Sequence, residues 1–145
     1  MLTVITKRYP QCNQKIFATI IFCLIIMLLG ACATTADKMD QLNSTLRAYE
    51  KALRWAKFEM AYSFHKWETE EQPSIPKHLQ DIRLTHYGVG NRSFDEKTMT
   101  AKQTVSIRYY NQSNLRERSL EDKQRWKYFP DKKRWYLMSK PPTFQ

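Results

Sequence analysis

Glycine is scarce in this 145-residue chain, occurring only at positions 30, 88 and 90. That excludes the phosphate-cradling loops of nucleotide-binding folds, which need several glycines close together. Cysteine is equally sparse, at 12, 23 and 32, too few for a disulfide framework. The three histidines, His65, His78 and His86, form no HEXXH, and no cysteine after Cys32 is left to complete a zinc set. Acidic residues are missing from the first 36 positions. Positive charge is abundant: 24 Lys and Arg against 14 Asp and Glu, a net +10. With 42% hydrophobic and 13% aromatic residues, the chain is too apolar for disorder. Its length suits one domain, with or without a targeting segment.

The acid-free N-terminus reads as an export signal. Lys7, Arg8 and Lys15 precede an uncharged run from Ile16 to Leu29. Fourteen residues suit the h-region of a signal peptide, whereas a spanning helix wants about 20. Leu29-Gly30-Ala31-Cys32 follows directly and resembles the lipobox of bacterial lipoproteins. The bulky Leu at −3 argues against an ordinary signal-peptidase site. The resemblance implies cleavage before Cys32, a diacylglyceryl thioether on its sulfur and an N-acyl chain such as palmitate. Several acyl chains anchor durably where a single one is marginal. With Ala33 rather than Asp after the cysteine, the same resemblance implies an outer-membrane location facing the periplasm. The expected organisation is a signal peptide at 1–31, a lipidated Cys32 with a short tether at 32–36, and one domain at 37–145. The mature chain of 114 residues has no second cysteine, so its fold rests on an apolar core.

That domain begins with a helical pattern. Leu42, Leu46, Tyr49, Leu53, Ala56 and Met60 recur at spacings of 4, 3, 4, 3 and 4, one apolar stripe of an amphipathic helix. Glu50 and Arg54 form an i,i+4 pair on the polar side. Trp55, Phe58, Tyr62 and Phe64 predict a bend or second short helix near Lys57–Lys66. Residues 68–77 combine acids with two prolines and read as a surface loop. Four extended segments follow, near 79–89, 98–110, 115–129 and 133–139. Gly88 and Gly90-Asn91 mark the first turn, Asn111 to Asn114 the second. Phe129-Pro130-Asp131-Lys132 suits a type I turn with proline second. Trp126 and Tyr128 are expected to face Trp135 and Leu137 across the last hairpin. The fold class is α+β, a long helix, with or without a short second one, packed on a curved four-stranded antiparallel sheet.

The run Leu46-Arg47-Ala48-Tyr49-Glu50 with Arg54-Trp55, Phe58, Ala61 and Phe64 resembles a group of small proteobacterial lipoproteins of unknown function. Arg116-Glu117-Arg118, Trp126 and Trp135-Tyr136-Leu137 extend the likeness over about 42–144. The order of elements also resembles the nuclear transport factor 2-like and cystatin-like cone folds, where a bent sheet cradles a helix. Fold likeness alone does not carry function.

Chemistry-bearing patterns are few. His65 and Glu68 sit at i,i+3 and read as an exposed pair at a helix end. Glu70-Glu71 and Glu121-Asp122 lie in polar segments and read as solvated. Nothing here argues for an enzyme or a cofactor. Charge remains: residues 108–140 hold ten cations against four acids. Arg108, Arg116, Arg118, Arg125, Lys127 and Arg134 are the candidate contacts to an anionic surface. Basic strands interleaved with Tyr and Trp would suggest nucleic acid in a cytosolic protein, but export sets that partner aside. The expected partners are the membrane through the lipid anchor, and an envelope protein, anionic lipid or lipopolysaccharide. The expected function is a non-catalytic binding module of the cell envelope. The alternative is a cone-fold pocket protein for a small apolar molecule, with Tyr49, Trp55, Phe58, Tyr109 and Trp126 lining the pocket or filling the core.

Overall fold

The computed structural model describes residues 35–69 and 71–145, so the signal segment and Cys32 lie outside the described residues. Gln41–Gln145 form one compact unit. Among the described residues no helix is long and apolar enough to cross a membrane.

Helix α1 occupies residues 35–54. Leu42, Leu46, Tyr49 and Leu53 are all buried, as their spacing predicts, and Ala52 joins them. Burying a Leu-sized side chain stabilises by about 1.5–3 kcal/mol, so this one face supplies most of the helix's hold on the sheet. On the outer side Arg54 Nε donates to Glu50 Oε1 at 2.8 Å. The stripe stops at Leu53: Met60 is exposed, and so is Trp55. The cause is a turn at Ala56, which adopts φ +52°. Lys57 N–H reaches back to Ala52 O at 2.8 Å and Ala56 N–H to Leu53 O at 3.1 Å. These are the two bonds of a Schellman motif, with alanine where glycine is usual. Helix α2, Phe58–Tyr62, then turns Phe58 and Ala61 inward. Left-handed backbone costs a Cβ-bearing residue roughly 1–2 kcal/mol, partly offset by the stiffer unfolded chain. Ala56→Gly is therefore expected to stabilise the domain by about 0.5–1 kcal/mol, read as a higher urea midpoint; a lower midpoint would remove the strain argument.

A 3-10 turn at Lys77–Asp81 leads into four strands: β1 Ile82–Asp95, β2 Thr100–Asn111, β3 Glu117–Phe129 and β4 Arg134–Leu137. They form one antiparallel sheet in the order β1-β2-β3-β4. Trp126 pairs with Leu137 and Tyr128 with Trp135, as the last hairpin requires. The first turn lies elsewhere than Gly88 to Asn91. β1 runs through those residues with register shifts between Leu84 and His86 and between Val89 and Arg92. A β-bulge places an extra residue opposite its partner strand. Gly90 suits this one because a Cβ there would lie 3.2 Å from Thr104 O. The true turn is 96–99, organised by Asp95. Its Oδ1 accepts from Lys97 N–H at 3.0 Å and its Oδ2 from the Thr98 hydroxyl at 2.8 Å. The last turn also shifts by one residue: Lys133 N–H bonds Pro130 O at 3.3 Å, so the proline is first rather than second.

Met99, Leu115 and Lys133, at the ends of the three hairpin turns, all have φ near +50°. A chain with almost no glycine thus makes its helix stop and every hairpin with ordinary residues in the left-handed region. β4 is a short edge strand, and the segment after α2 covers it. Lys66 N–H bonds Leu137 O at 2.9 Å, and Leu137 N–H bonds Phe64 O at 2.8 Å. The inner sheet face carries Ala101, Val105, Ile107, Tyr109, Trp126, Trp135 and Leu137, all buried. Tyr49 stands edge-on to Trp126 at 5.4 Å. Phe144 folds back near the C-terminus, edge-on to Tyr109 at 5.0 Å and to Phe58 at 5.9 Å.

Candidate functional site

Strand parity sorts the basic residues of the sheet. On β2 and β3 the inward positions are buried or half-buried and the alternate ones exposed or half-exposed. Lys102 stands opposite Arg125, Thr104 opposite Lys123 and Thr100 opposite Lys127, all with the exposed parity. Like charges directly across two strands repel. Among the described residues only one of these four cations has an ion pair to a carboxylate, Lys123 to Glu121 at 3.6 Å, and that pair is solvent-exposed. An open groove of about 390 Å³ crosses this face, lined by Ser93, Lys102, Thr104, Lys123 and Arg125 among others. A neighbouring cavity, which shares Ser93, Lys102 and Arg125, is lined by Asp95, whose carboxyl is held below its usual range by the Thr98 hydroxyl first and by Lys102 to a smaller degree. Toward β4, Lys127 Nζ lies 5.7 Å from the centre of the Phe129 ring, and the Arg134 guanidinium 5.1 Å from that of Tyr136. Arg134 also donates to Ser63 O at 3.2 Å.

The six candidate contacts do not form one patch. Arg125 and Lys127 share the outer face of β3, with Arg134 opposite Phe129 on β4. Arg108 has the same parity but lies toward the other end, 3.9 Å from Glu117. Arg116 is exposed at the turn before β3. Arg118 has the inward parity, opposite Tyr109, and is half-buried. Lys102, central to the groove, was outside the basic stretch at 108–140. Its signal was the alternation of β2, which put it on the polar side with Thr104 and Ser106.

The inner face holds a second polar feature, a buried row linked end to end. Gln124 is its hub. Its Nε2 donates to Asp122 Oδ2 at 2.7 Å and to Tyr87 Oη at 3.1 Å. Its Oε1 accepts from Gln103 Nε2 at 2.7 Å and from Trp126 Nε1 at 3.1 Å. Gln103 Oε1 in turn accepts from Arg92 Nε at 3.0 Å, and Arg92 Nη1 donates to Asn43 Oδ1 on α1 at 3.3 Å. Every buried side-chain polar atom among the described residues has a partner. Burial raises the Asp122 carboxyl above its usual range, with the Gln124 bond opposing it. Burial first, then the Asp122 charge, raises the Tyr49 hydroxyl as well.

Asp122 therefore departs from the solvated Glu121-Asp122 pair that its neighbours predict: Glu121 is exposed, but Asp122 is buried. His65 departs similarly. It is buried, 4% exposed, rather than an open helix-end residue, while Glu68 is exposed. Its Nδ1 lies 3.0 Å from Ser139 O; a carbonyl oxygen only accepts, so Nδ1 carries the proton. Nε2 is left to accept from the Tyr49 hydroxyl at 3.5 Å. Of the aromatic candidates for a pocket, Tyr49, Phe58, Tyr109 and Trp126 are buried in the core and Trp55 is exposed. The polar row and the buried aromatic side chains lie on the inner face of the sheet, and the cationic groove lies on the outer one. No protein-family model, curated protein or solved structure matches this chain.

Proposed function

We propose that the chain is a lipid-anchored, non-catalytic binding module of the bacterial cell envelope that meets an anionic partner through the outer face of its sheet. The observation that carries this reading is the set of Lys102, Lys123, Arg125 and Lys127 held side by side on two adjacent strands. A sheet whose register keeps like charges together, against their repulsion, suits a partner of opposite sign. The Leu29-Gly30-Ala31-Cys32 motif supports the anchor. The order of helix and sheet is consistent with the cone folds named above in general terms. The core side chains packed between α1 and the sheet favour a binding module over a pocket for a small apolar molecule.

Cross-linking the tagged full chain in living cells tests both parts. The wild type is expected in the membrane fraction, and Cys32→Ala is expected to lose that retention. An envelope component captured by the wild type is expected to be lost in high salt and in a Lys102→Ala, Arg125→Ala, Lys127→Ala variant. Capture indifferent to both salt and these substitutions would reject the cationic face; unchanged membrane retention of Cys32→Ala would reject the anchor.

A further inference from the structure

The charge of the sheet is unevenly divided along its strands. Residues 89–105 and 123–134 form one half, with nine Lys and Arg against three Asp and Glu, a net +6. Residues 82–88 and 106–122 form the other, with four against three, a net +1. The cationic half ends in the 96–99 and 130–133 turns, where Lys97, Lys132 and Lys133 are exposed.

Helix α1 enters the compact unit at this same end. Gln41 Nε2 donates to Lys133 O at 2.9 Å, and Asn43 accepts from Arg92. Cys32 precedes Gln41 by nine residues, a chain distance of at most about 30 Å. β3, with 13 residues, extends roughly 40 Å from end to end. A lipid on Cys32 would therefore keep the cationic end within about 30 Å of the bilayer, a reach shorter than the length of β3. Anionic lipids in that leaflet would attract the +6 end, through a potential that acts only within about 8 Å in physiological salt. Beside the turn, Phe129 and Tyr136 stack edge-on at 5.5 Å, with Lys127 and Arg134 over their rings. Aromatic bodies with cationic tips suit the boundary between headgroups and water.

Building on the lipid-anchored reading, we propose that the 96–99 and 130–133 turns rest on the anionic leaflet that holds the anchor, giving the module a second, electrostatic attachment and a fixed orientation. The test uses the full lipidated chain in vesicles. Nitroxide labels are placed at Lys132→Cys, in the cationic turn, and at Gln112→Cys, in the turn at the opposite end. Both sites are exposed. With Cys32 acylated and the signal removed, the introduced thiol is the only free one.

On phosphatidylglycerol vesicles the label at 132 is expected to lose about fivefold in accessibility to a neutral nickel chelate, relative to phosphatidylcholine vesicles. High salt, or Lys127→Ala with Lys133→Ala, is expected to restore it, while the label at 112 stays open throughout. A label at 132 equally open on both vesicles, or protection at 112 instead, overturns the proposal. More than one label per chain would reveal an unmodified Cys32, with or without the signal's Cys12 and Cys23, and reject the anchor. The comparison of 132 with 112 on anionic vesicles would still decide which end meets the surface.

Discussion

Replacing Gln124 by leucine is expected to cost about 4 kcal/mol and to lower Tm by roughly 15–25 °C. The leucine fills a similar volume, so the loss is polar. Gln124 makes four hydrogen bonds in a site that is 2% exposed. Without it, Gln103 Nε2 and Trp126 Nε1 become buried donors with no acceptor, and Asp122 loses the one donor that opposes its desolvation. A buried group stripped of its partner costs about 1–3 kcal/mol, far more than the net worth of a satisfied bond. Arg92→Ala at the solvent end of the same row is expected to cost under about 1 kcal/mol, because water replaces the lost donor. Urea unfolding of both variants checks the contrast, and equal losses would mean that the row does not act through burial.

The second large effect is acid-induced. Burial holds the His65 imidazole down to about 4, with the Ser139 carbonyl opposing that shift. In the unfolded chain an imidazole titrates near 6.5. Between those values the unfolded state binds the proton and the folded state does not, so stability falls as pH falls. The contribution is complete above about 6.5 and gone below about 4, in total about 3 kcal/mol. The buried Asp122 has the opposite sign. Its raised pKa means that the folded state takes up its proton first, which favours the folded state as the pH drops. Urea midpoints measured from pH 7 to pH 4 are expected to fall steeply in the wild type and more shallowly in His65→Gln. The glutamine variant starts lower at pH 7 because its amide cannot copy both ring bonds. Parallel slopes in the two proteins would show that another group controls the acid limb.

The parts of this fold that the sequence displays are those where one face is apolar and the other is not. α1 shows its buried stripe through Leu53, and β2 alternates from Ala101 to Tyr109 with the inward Gln103 as the one break. β3 does not, because Glu117 to Lys127 has charged or amide side chains at both parities. Asp122 and Gln124 point inward only because each finds its partners there, and those partners come from β1, β2 and β3 itself. The same holds for His65, whose neighbours Lys66 and Glu68 are polar while its own contacts lie on α1 and near the C-terminus. β1 misled for a different reason. Gly90 marks a bulge and Gly88 sits in regular register, whereas its turn is built from an aspartate cap and a left-handed Met99. The charged end of the sheet was half legible, since the basic stretch at 108–140 is plain but its division between two ends depends on register.

The Gln103–Gln124 pair has one more effect. Alternation of inward and outward side chains is preserved when one strand slides by two residues along its neighbour, so apolar burial alone separates such slipped sheets from the native one weakly. A hydrogen bond is directional and short. Gln103 and Gln124 are Cα partners across β2 and β3, and a two-residue slide would set each amide against an apolar or ionised neighbour. Two buried glutamines thus act as an alignment key for the central pair of strands, and through them for the spacing of every cation on the opposite face.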